Sequence, residues 1–465
     1  MEHIYFLLVV PALFFAIAVY RRPFFGVLVT MAVTPLEIFV KLPYGLSMGR
    51  MVALLAFLGW LHQLRRQGGI FRRMKTLRTA KLVMPFVAVC FLGVTFSTDS
   101  EAVSFFRAIT VGLQVLLSLL FEDMVNTQKR IHLLLVVVAI SSTLYAIPAV
   151  TSYHGVNVIN PDIVDVVQEK GEFRYAGIAM NANGLALSAN MGLFILFILI
   201  AESRSIMKSV LFSCFAVTSI IGLVLSASRT HFVGLFAFLI AIILLSLLYP
   251  AGGLGGPLKV VAGMILFGAA LATVYHGAPE PMQRRLIVVG DNVDFRTERR
   301  TSFAKDQMRD AIDMLTIKPL FGVGLGNFPK YAKRTPSYLG AHDTISSVLG
   351  ETGALGALAF CAIVLIGSEW LRAGLAISRK TANREMYYTC LGLLASMIAM
   401  LVSGLGGYVM YFNRLLWMTI GISAVVKGWT SEQKRSMAGK EINPSGKSQA
   451  FKQQKHGIMR RELIR

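Results

Sequence analysis

The sequence predicts an all-α protein, a polytopic transmembrane helical bundle of about 12–13 spans with a large external loop that contains an amphipathic helix. Of its 465 residues, 55% are apolar and only 15% are charged, with a mean hydropathy of +0.62. A soluble protein usually carries roughly 25% charged residues, so this composition excludes a set of water-soluble domains. The apolar residues also form continuous runs, whereas membrane β-strands would alternate over about ten residues.

About thirteen apolar stretches approach the roughly 20 residues that a helix needs to cross the hydrocarbon core. They lie at 4–20, 24–40, 46–62, 82–98, 102–121, 131–150, 184–201, 209–226, 232–249, 259–275, 346–369, 387–405 and 412–428. The expected units are N-terminal helices over 1–150, a loop over 151–183, central helices over 184–275, a large loop over 276–345, C-terminal helices over 346–428, and a basic tail, expected to be disordered, over 429–465.

The charge is strongly positive, with 46 Lys and Arg against 25 Asp and Glu and a net charge of +21. Nucleic-acid binding is the usual reason for such basicity, but the apolar content points to a bilayer, and no nucleic-acid partner is expected. Basic residues in short loops mark the cytoplasmic side of a membrane protein. The cluster between Arg65 and Lys81 is the richest, and alternation then places the N-terminus outside and the tail inside, where it can contact anionic membrane lipids.

The large external loop is rich in basic residues, among them Arg296 and Arg300. It is either a solvated loop with scattered charges or an outward-facing anion site. Its residues 302–317 predict an amphipathic helix that Pro319 ends. The predicted apolar stripe is Phe303, Met308, Ile312 and Leu315, with Asp306, Asp310 and Asp313 on the other side.

The segment GVGLGN follows, with glycines at 322, 324 and 326. No strand–turn–helix unit surrounds it, so a packing turn is favoured over a nucleotide loop. His342 stands before the next apolar helix and Glu351 follows about two turns later; a lone His there is either a surface or capping group or a proton acceptor. Arg229, in a short external turn, is either an interfacial side chain or a phosphate ligand.

Four segments resemble, in order, the signatures of the O-antigen ligase and polysaccharide polymerase superfamily. They are RYAGIAMNANGLAL, SASR, PLFGVGLGNF and AHDTISSVLGETGALGAL, and the likeness covers roughly residues 173–360. The residue after the His is usually Asn in this family and is Asp343 here. The aromatic often found in the loop helix is replaced near Met308. These departures affect the alignment of the loop Arg with the family more than the alignment of His342.

The resemblance implies a GT-C-like glycosyltransferase of the bacterial inner membrane that works without nucleotide sugar, cofactor or metal. Its donor would be a glycan on an undecaprenyl-pyrophosphate carrier at the periplasmic side, and its acceptor a hydroxyl of lipid A core, of a polysaccharide or of a protein. His342 matches the family's essential His, which would deprotonate or orient that hydroxyl. Arg229 matches the Arg that would grip the pyrophosphate, and Arg300 best matches the Arg of the large loop.

The same resemblance gives substrate-binding candidates. Arg174 matches the Arg ahead of the Asn-x-Asn segment, in which Asn183 is the second Asn. Arg296 is the alternative to Arg300 in the loop, and Gly324 and Glu351 belong to the glycine turn and to the segment after His342.

Several functions remain open at this point. Ligase, polymerase and protein O-oligosaccharyltransferase share the chemistry and differ in acceptor. A transporter or flippase of envelope glycans would place ionisable groups near the membrane midplane and often shows internal repeats, and neither feature is evident in the sequence. A structural subunit whose loop docks partners is a third class. The four cysteines lie in apolar runs without CxxC spacing, so no metal site is expected.

Overall fold

The computed structural model describes residues 13–33, 48–97, 101–153, 166–169, 172–175, 182–250, 255–278, 280, 283, 293–336, 343–405 and 413–442. After helical residues 13–21, the helices are α1 (Pro23–Ala32), α2 (Met48–Arg66), α3 (Ile70–Thr76), α4 (Arg78–Thr95), α5 (Glu101–Met124), α6 (Gln128–Tyr153), α7 (Ala182–Glu202), α8 (Ile206–Ser226), α9 (Arg229–Leu248), α10 (Gly255–Gly277), α11 (Val293–Ile317), α12 (Phe328–Tyr331), α13 (Thr344–Lys380), α14 (Arg384–Gly404) and α15 (Arg414–Ile442). Two short strands, β1 (Val166–Glu169) and β2 (Glu172–Tyr175), pair antiparallel between α6 and α7.

The helices confirm the predicted class of polytopic all-α membrane protein. Every apolar stretch of the sequence overlaps a helix, and eight helices in the described part of the chain are long and apolar enough to cross a membrane: α4 to α9, α13 and α14. The short helix α1 has only ten residues. Helices α2 and α15 carry arginine or lysine within their apolar segments, which lowers their hydropathy.

The centre of the bundle is closed by aromatic side chains from three helices. Phe86 of α4 lies 5.7 Å from the ring of Phe360 of α13 and 6.3 Å from that of Trp417 of α15. Phe86 and Trp417 are fully buried. Gly421 lets α15 approach α5 closely, because a Cβ there would lie 2.5 Å from Cβ of Phe121. These contacts hold α13, which carries part of the candidate site, against the body of the bundle.

One end of the bundle, here called the basic end, joins the loops that the sequence assigns to the cytoplasm. The side chain of Gln63 donates to the carbonyl of Arg21 at 3.0 Å, and Arg73 pairs with Asp123. Three further hydrogen bonds connect the loops at this end, and they join Gln128 to Asn383, Arg384 to Ala201, and Tyr387 to Tyr249. The basic loops therefore share one end, as alternation of the spans requires, while the side of the membrane that this end faces stays a prediction.

The opposite end is organised by a crossing between a loop and a broken helix. The glycine turn, residues 319–327, passes through a break in α13 at Gly353, whose φ of 68° and ψ of −169° are not helical. The carbonyl of Gly350 accepts a hydrogen bond from the N–H of Val323 at 2.9 Å. From the other side, the N–H of Ala354 donates to the carbonyl of Pro319 at 2.9 Å. The turn thus satisfies the backbone groups that the break leaves open.

Glycine is required where the two backbones meet. Gly322 has a φ of 67°, and a Cβ there would lie 2.5 Å from the carbonyl carbon of Glu351. A Cβ on Gly353 would lie 2.5 Å from the backbone nitrogen of Gly322. The interpretation of GVGLGN as a packing turn is confirmed: the packing partner is the broken segment of α13.

The crossing predicts a large stability cost for a single added methyl group. Gly353→Ala should destabilise the protein by about 2–4 kcal/mol, since it combines a strained positive φ with a backbone clash. The measurement is the Tm of the purified protein in detergent. The matched control is Gly268→Ala in α10, where the added Cβ meets nothing within 4 Å and alanine favours the helix. An unchanged Tm for Gly353→Ala would contradict the crossing.

Candidate functional site

The described candidate residues lie at the end of the bundle opposite to the basic end. Helices α5, α7 and α9 each begin at this end, and they finish at Met124, Glu202 and Leu248, beside the loops of the basic end. Their contacts form two groups. One surrounds the start of α9 at Arg229, and the other surrounds the glycine turn and α13.

Arg229 is the first residue of α9 and is half-buried. The turn before it is very short, because α8 ends at Ser226 and Ala227 adopts a left-handed conformation with φ of 48°. A non-glycine residue in this region costs on the order of 1–2 kcal/mol. The strained residue reverses the chain, so that Ser228 and Arg229 open a new helix at the end of the bundle.

Ser228 links the start of α9 to the start of α7. Its hydroxyl donates to Oδ1 of Asn183 at 2.9 Å and lies 2.9 Å from Nδ1 of His231. Because the hydroxyl proton goes to Asn183, this geometry assigns a proton to Nδ1 of His231, which donates back to Ser228. The carbonyl of His231 in turn accepts from Asn190 at 2.7 Å. Two predicted residues, Asn183 and Arg229, are thereby brought to one place.

The strand that carries Arg174 lies at the same place. Its neighbour Tyr175 packs against a small buried cluster that includes Leu185 of α7 and Leu225 of α8. In the hairpin, Arg174 is opposite Val167. The position of the Arg174 side chain lies outside what the structure describes, so its role stays a prediction.

The second group holds Gly324 and Glu351 together. The N–H of Gly324 donates to the carbonyl of Glu351 at 3.0 Å, and the Glu351 side chain is 5% exposed. One carboxylate oxygen of Glu351 accepts from the N–H of Phe328 at 3.4 Å and the other from the hydroxyl of Ser347 at 3.3 Å. Glu351 therefore ties α13 to the residue that follows the glycine turn.

The turn is also bound to α5. The side-chain nitrogen of Asn327 lies 2.8 Å from the hydroxyl of Ser97 and 2.9 Å from that of Ser104. Gly326, with a φ of 82°, leaves room for Arg107 of α5, whose Cγ would lie 3.0 Å from an added Cβ. An arginine in the first two turns of α5 is thus placed directly against the glycine turn.

Helix α11 extends the predicted amphipathic helix toward the N-terminus, but its buried face differs from the expected one. Gln307, Asp310, Ala311 and Met314 are buried, whereas Ile312 is 49% exposed. The expectation from the amphipathic pattern, that the apolar stripe packs and the side with Asp310 does not, is wrong for Asp310, which is fully buried. The physical reason is a set of backbone donors that replaces water around its carboxylate.

Asp310 binds the segment that leads toward His342. Its oxygens accept from the backbone N–H groups of Lys333, Arg334 and Thr335 at 3.1, 3.2 and 2.8 Å. The guanidinium of Arg334 adds a contact of 3.2 Å to Asp310 and one of 2.9 Å to Asp313. Burial alone would raise the pKa of Asp310, but these hydrogen bonds outweigh it and hold the pKa below its ordinary value.

His342 lies outside the described residues, and its neighbours bracket it. The chain is held at Thr335 by Asp310 and is described again from Asp343. Asp343 caps α13 by accepting from the N–H of Ser346 at 2.7 Å. Both Asp and Asn are strong N-cap residues, so the departure from the family's usual Asn preserves this function.

The two loop arginines are on one helix. Arg296 and Arg300 fall in the first part of α11, four residues apart and therefore on neighbouring turns of one face. Their side-chain positions lie outside what the structure describes. The same helix packs, through Ala311 and Met314, beside Val323 and Phe328 of the glycine-turn region.

Sequence reasoning missed several residues that build this end of the bundle. Asn327, Ser228 and His231 are buried polar residues. Asn327 and Ser228 have partners far away in the sequence, whereas the side chain of His231 contacts Ser228 at the start of its own helix. The segment SASR could have pointed to Ser228 as an N-cap position, because serine before a helix start is a capping signal. For metal sites, no group of three or more His, Cys, Asp or Glu side chains is found across the described ranges.

Comparison with models of known protein families finds a match for part of the chain. Residues 214–361 match the model of the family described as O-Antigen ligase. No curated protein matches the chain. The matched segment contains Arg229, α11, the glycine turn, His342 and the broken part of α13, so the part of this membrane protein that is similar to the O-antigen ligase family includes residues from both groups of contacts described above.

Proposed function

We propose that this protein transfers a glycan from an undecaprenyl-pyrophosphate carrier to an acceptor hydroxyl at the periplasmic face of the bacterial inner membrane. The acceptor is lipid A core in the ligase form of the proposal, and a polysaccharide end or a protein side chain in the alternatives. The observation that carries the proposal is the family match over 214–361, which includes Arg229, Gly324, His342 and Glu351 in one segment.

The proposed role of Arg229 follows from the leaving group. Negative charge grows on the pyrophosphate oxygens as the bond between sugar and phosphate breaks. A guanidinium fixed in a poorly hydrated place stabilises that charge more in the transition state than in the substrate. Arg229 is supported in this role by its position at the start of α9, where the bonds of Ser228 to α7 fix the backbone. Arg300, with Arg296 as the alternative, would supply a second cation from α11.

The proposed role of His342 is to take the proton of the acceptor hydroxyl or to orient that hydroxyl. Histidine is suited to proton transfer near neutral pH. Support comes from its place between two anchored points, the clamp of Asp310 and the N-cap at Asp343. Glu351, Asn183 and Arg174 would bind or position the glycan or its pyrophosphate.

Loss of either proposed catalytic group should stop transfer without preventing insertion into the membrane. Arg229→Ala and His342→Ala should each lower transfer by about 10²-fold or more, as expected for lost charge stabilisation or proton transfer. The measurements are the surface glycan and the pool of carrier-linked glycan in cells that express each variant as the only copy. Carrier-linked donor should accumulate.

Matched controls lie near the basic end. Arg204→Ala removes an exposed arginine from the loop between α7 and α8, and His62→Ala removes an exposed histidine of α2. Both should retain transfer. Full transfer activity of His342→Ala would contradict the proposed mechanism. Accumulation of carrier-linked donor on the cytoplasmic side would favour a transporter instead.

The clamp of Asp310 predicts an acid-dependent loss of stability. A carboxyl whose folded pKa is lowered stabilises the fold above its ordinary value of 3.8, and this contribution is lost as the pH falls through the lowered folded value. Asp310→Asn should therefore cost about 1.5–3 kcal/mol at pH 7, the usual size for hydrogen bonds to a charged group. The difference in Tm from the wild type should shrink as the pH approaches 3.

Asp313→Asn is the control for this prediction, since Asp313 is on the same helix and its side chain is partly exposed. It should lower Tm less than Asp310→Asn. Transfer should fall in the Asp310 variant, because the segment leading to His342 loses its anchor. Parallel Tm curves for the wild type and Asp310→Asn at all pH values would refute the clamp.

A further inference from the structure

A polar cavity lies at the basic end, far from the proposed transfer site. Its volume is about 520 Å³, and its walls come from the end of α2, from α3 and from the loop between α5 and α6. Arg72, Arg73 and Arg130 line it together with Gln67, Trp60 and Asp123. None of these residues has a role in the proposed transfer reaction.

The charge of the cavity is not balanced by its own carboxylate. Asp123 is 5% exposed, and its two oxygens are already used by Arg73 and by the indole N–H of Trp60, the latter at 2.6 Å. Within the described ranges, Arg72 and Arg130 form no ion pair with a carboxylate. The lining therefore presents two uncompensated guanidinium groups.

The guanidinium group of Arg130 is oriented by contacts with the protein, as is typical of an arginine that binds an anion. One of its nitrogens donates to the carbonyl of Met124 at 2.9 Å, and its guanidinium lies 4.9 Å from the ring centre of Phe24. These contacts orient the group, while the remaining donors can serve a ligand. Arginine pairs of this kind suit phosphate, because a planar guanidinium offers two parallel donors to its oxygens.

The surroundings favour a lipid as the source of the phosphate. Helix α3 connects α2 to the spanning helix α4, and none of its residues is buried. Phe71, directly before Arg72, is 85% exposed. An exposed aromatic side chain beside basic residues at the end of a bundle is typical of the boundary between headgroups and acyl chains.

We propose that this cavity, here called the arginine cavity, binds the phosphate of an anionic phospholipid headgroup. Arg72 and Arg130 bind the phosphate oxygens, Gln67 contacts the polar headgroup, and Phe71 enters the acyl region. The bound lipid fastens α2, α3 and the loop between α5 and α6 at the basic end. This inference is independent of the transfer reaction, and its test needs no measurement of transfer.

The test is a binding titration of the purified full-length protein in an uncharged detergent at constant ionic strength. Short-chain phosphatidylglycerol, short-chain phosphatidylcholine and inorganic phosphate are added separately, and Tm and intrinsic tryptophan fluorescence are followed, since Trp60 lines the cavity. Phosphatidylglycerol should bind saturably and raise Tm. The other two compounds should bind at least about tenfold more weakly, because they lack either the net charge or the acyl chains.

Matched double variants separate the cavity from the general charge of the basic end. Arg72→Gln with Arg130→Gln should raise the Kd for phosphatidylglycerol by about tenfold or more. Arg65→Gln with Arg66→Gln removes the same charge from exposed residues outside the cavity and should leave the Kd nearly unchanged. If the first pair prevents folding, Arg72→Gln alone, at an exposed position, should still weaken binding about threefold.

The results discriminate between sources and mechanisms. Equal weakening by both double variants would mean a diffuse attraction and overturn the site. Tight binding of phosphatidylcholine would overturn the requirement for an anion. Saturable binding of inorganic phosphate without binding of phosphatidylglycerol would overturn the lipid as the source, and the absence of any saturable binding to the wild type would overturn the proposal.

Discussion

The end of the bundle that holds the candidate site depends on the crossing between the glycine turn and α13. A helix can be broken inside a membrane protein only where other protein groups satisfy its freed backbone. Here the turn supplies these groups, and the N–H of Val323 and the carbonyl of Pro319 replace the missing helical partners on the two sides of the break. The exchange requires glycine at 322 and 353, where the backbones meet at a distance that excludes a side chain.

The crossing also determines what can be built around it. The turn leads into Asn327, which fastens it to α5, and into Phe328, which packs beside Ala311 and Met314 of α11. Glu351, at the break itself, accepts from the N–H of Phe328. A single backbone arrangement thus fixes the relative positions of α5, α11 and α13. It also positions the N-cap of α13, Asp343, which directly follows His342.

The parts of this protein that could be predicted are those with a local signal. Apolar runs predicted the helices, because membrane helices must be apolar over their whole length. The glycines at 322, 324 and 326 predicted a turn, because glycine tolerates a positive φ. In the structure all three adopt a positive φ. The buried face of α11 could not be predicted in the same way. The environment of Asp310 is set by backbone N–H groups more than twenty residues away, which no helical periodicity records.

The buried serines also have contacts that the sequence could not predict. Ser97 and Ser104 stand in or beside an apolar run and have no pattern of their own, yet they receive the side chain of Asn327. Ser228 had a local signal, since it precedes the helix that begins at Arg229. Its partner Asn183 belongs to a different helix and became visible only once α7 and α9 were side by side.

The frame around Arg229 shows why such long-range contacts matter for the proposed transfer. An arginine on a mobile loop would lose much of its interaction energy to ordering when pyrophosphate binds. The left-handed Ala227 fixes the direction in which α9 begins. The hydrogen bond from Ser228 to Asn183 fastens this point to α7. His231 and Asn190 add a second connection between the same two helices. The backbone that carries Arg229 is therefore ordered on folding rather than on binding. Such preorganisation helps a guanidinium to favour the developing charge of a leaving group over the charge of the bound donor.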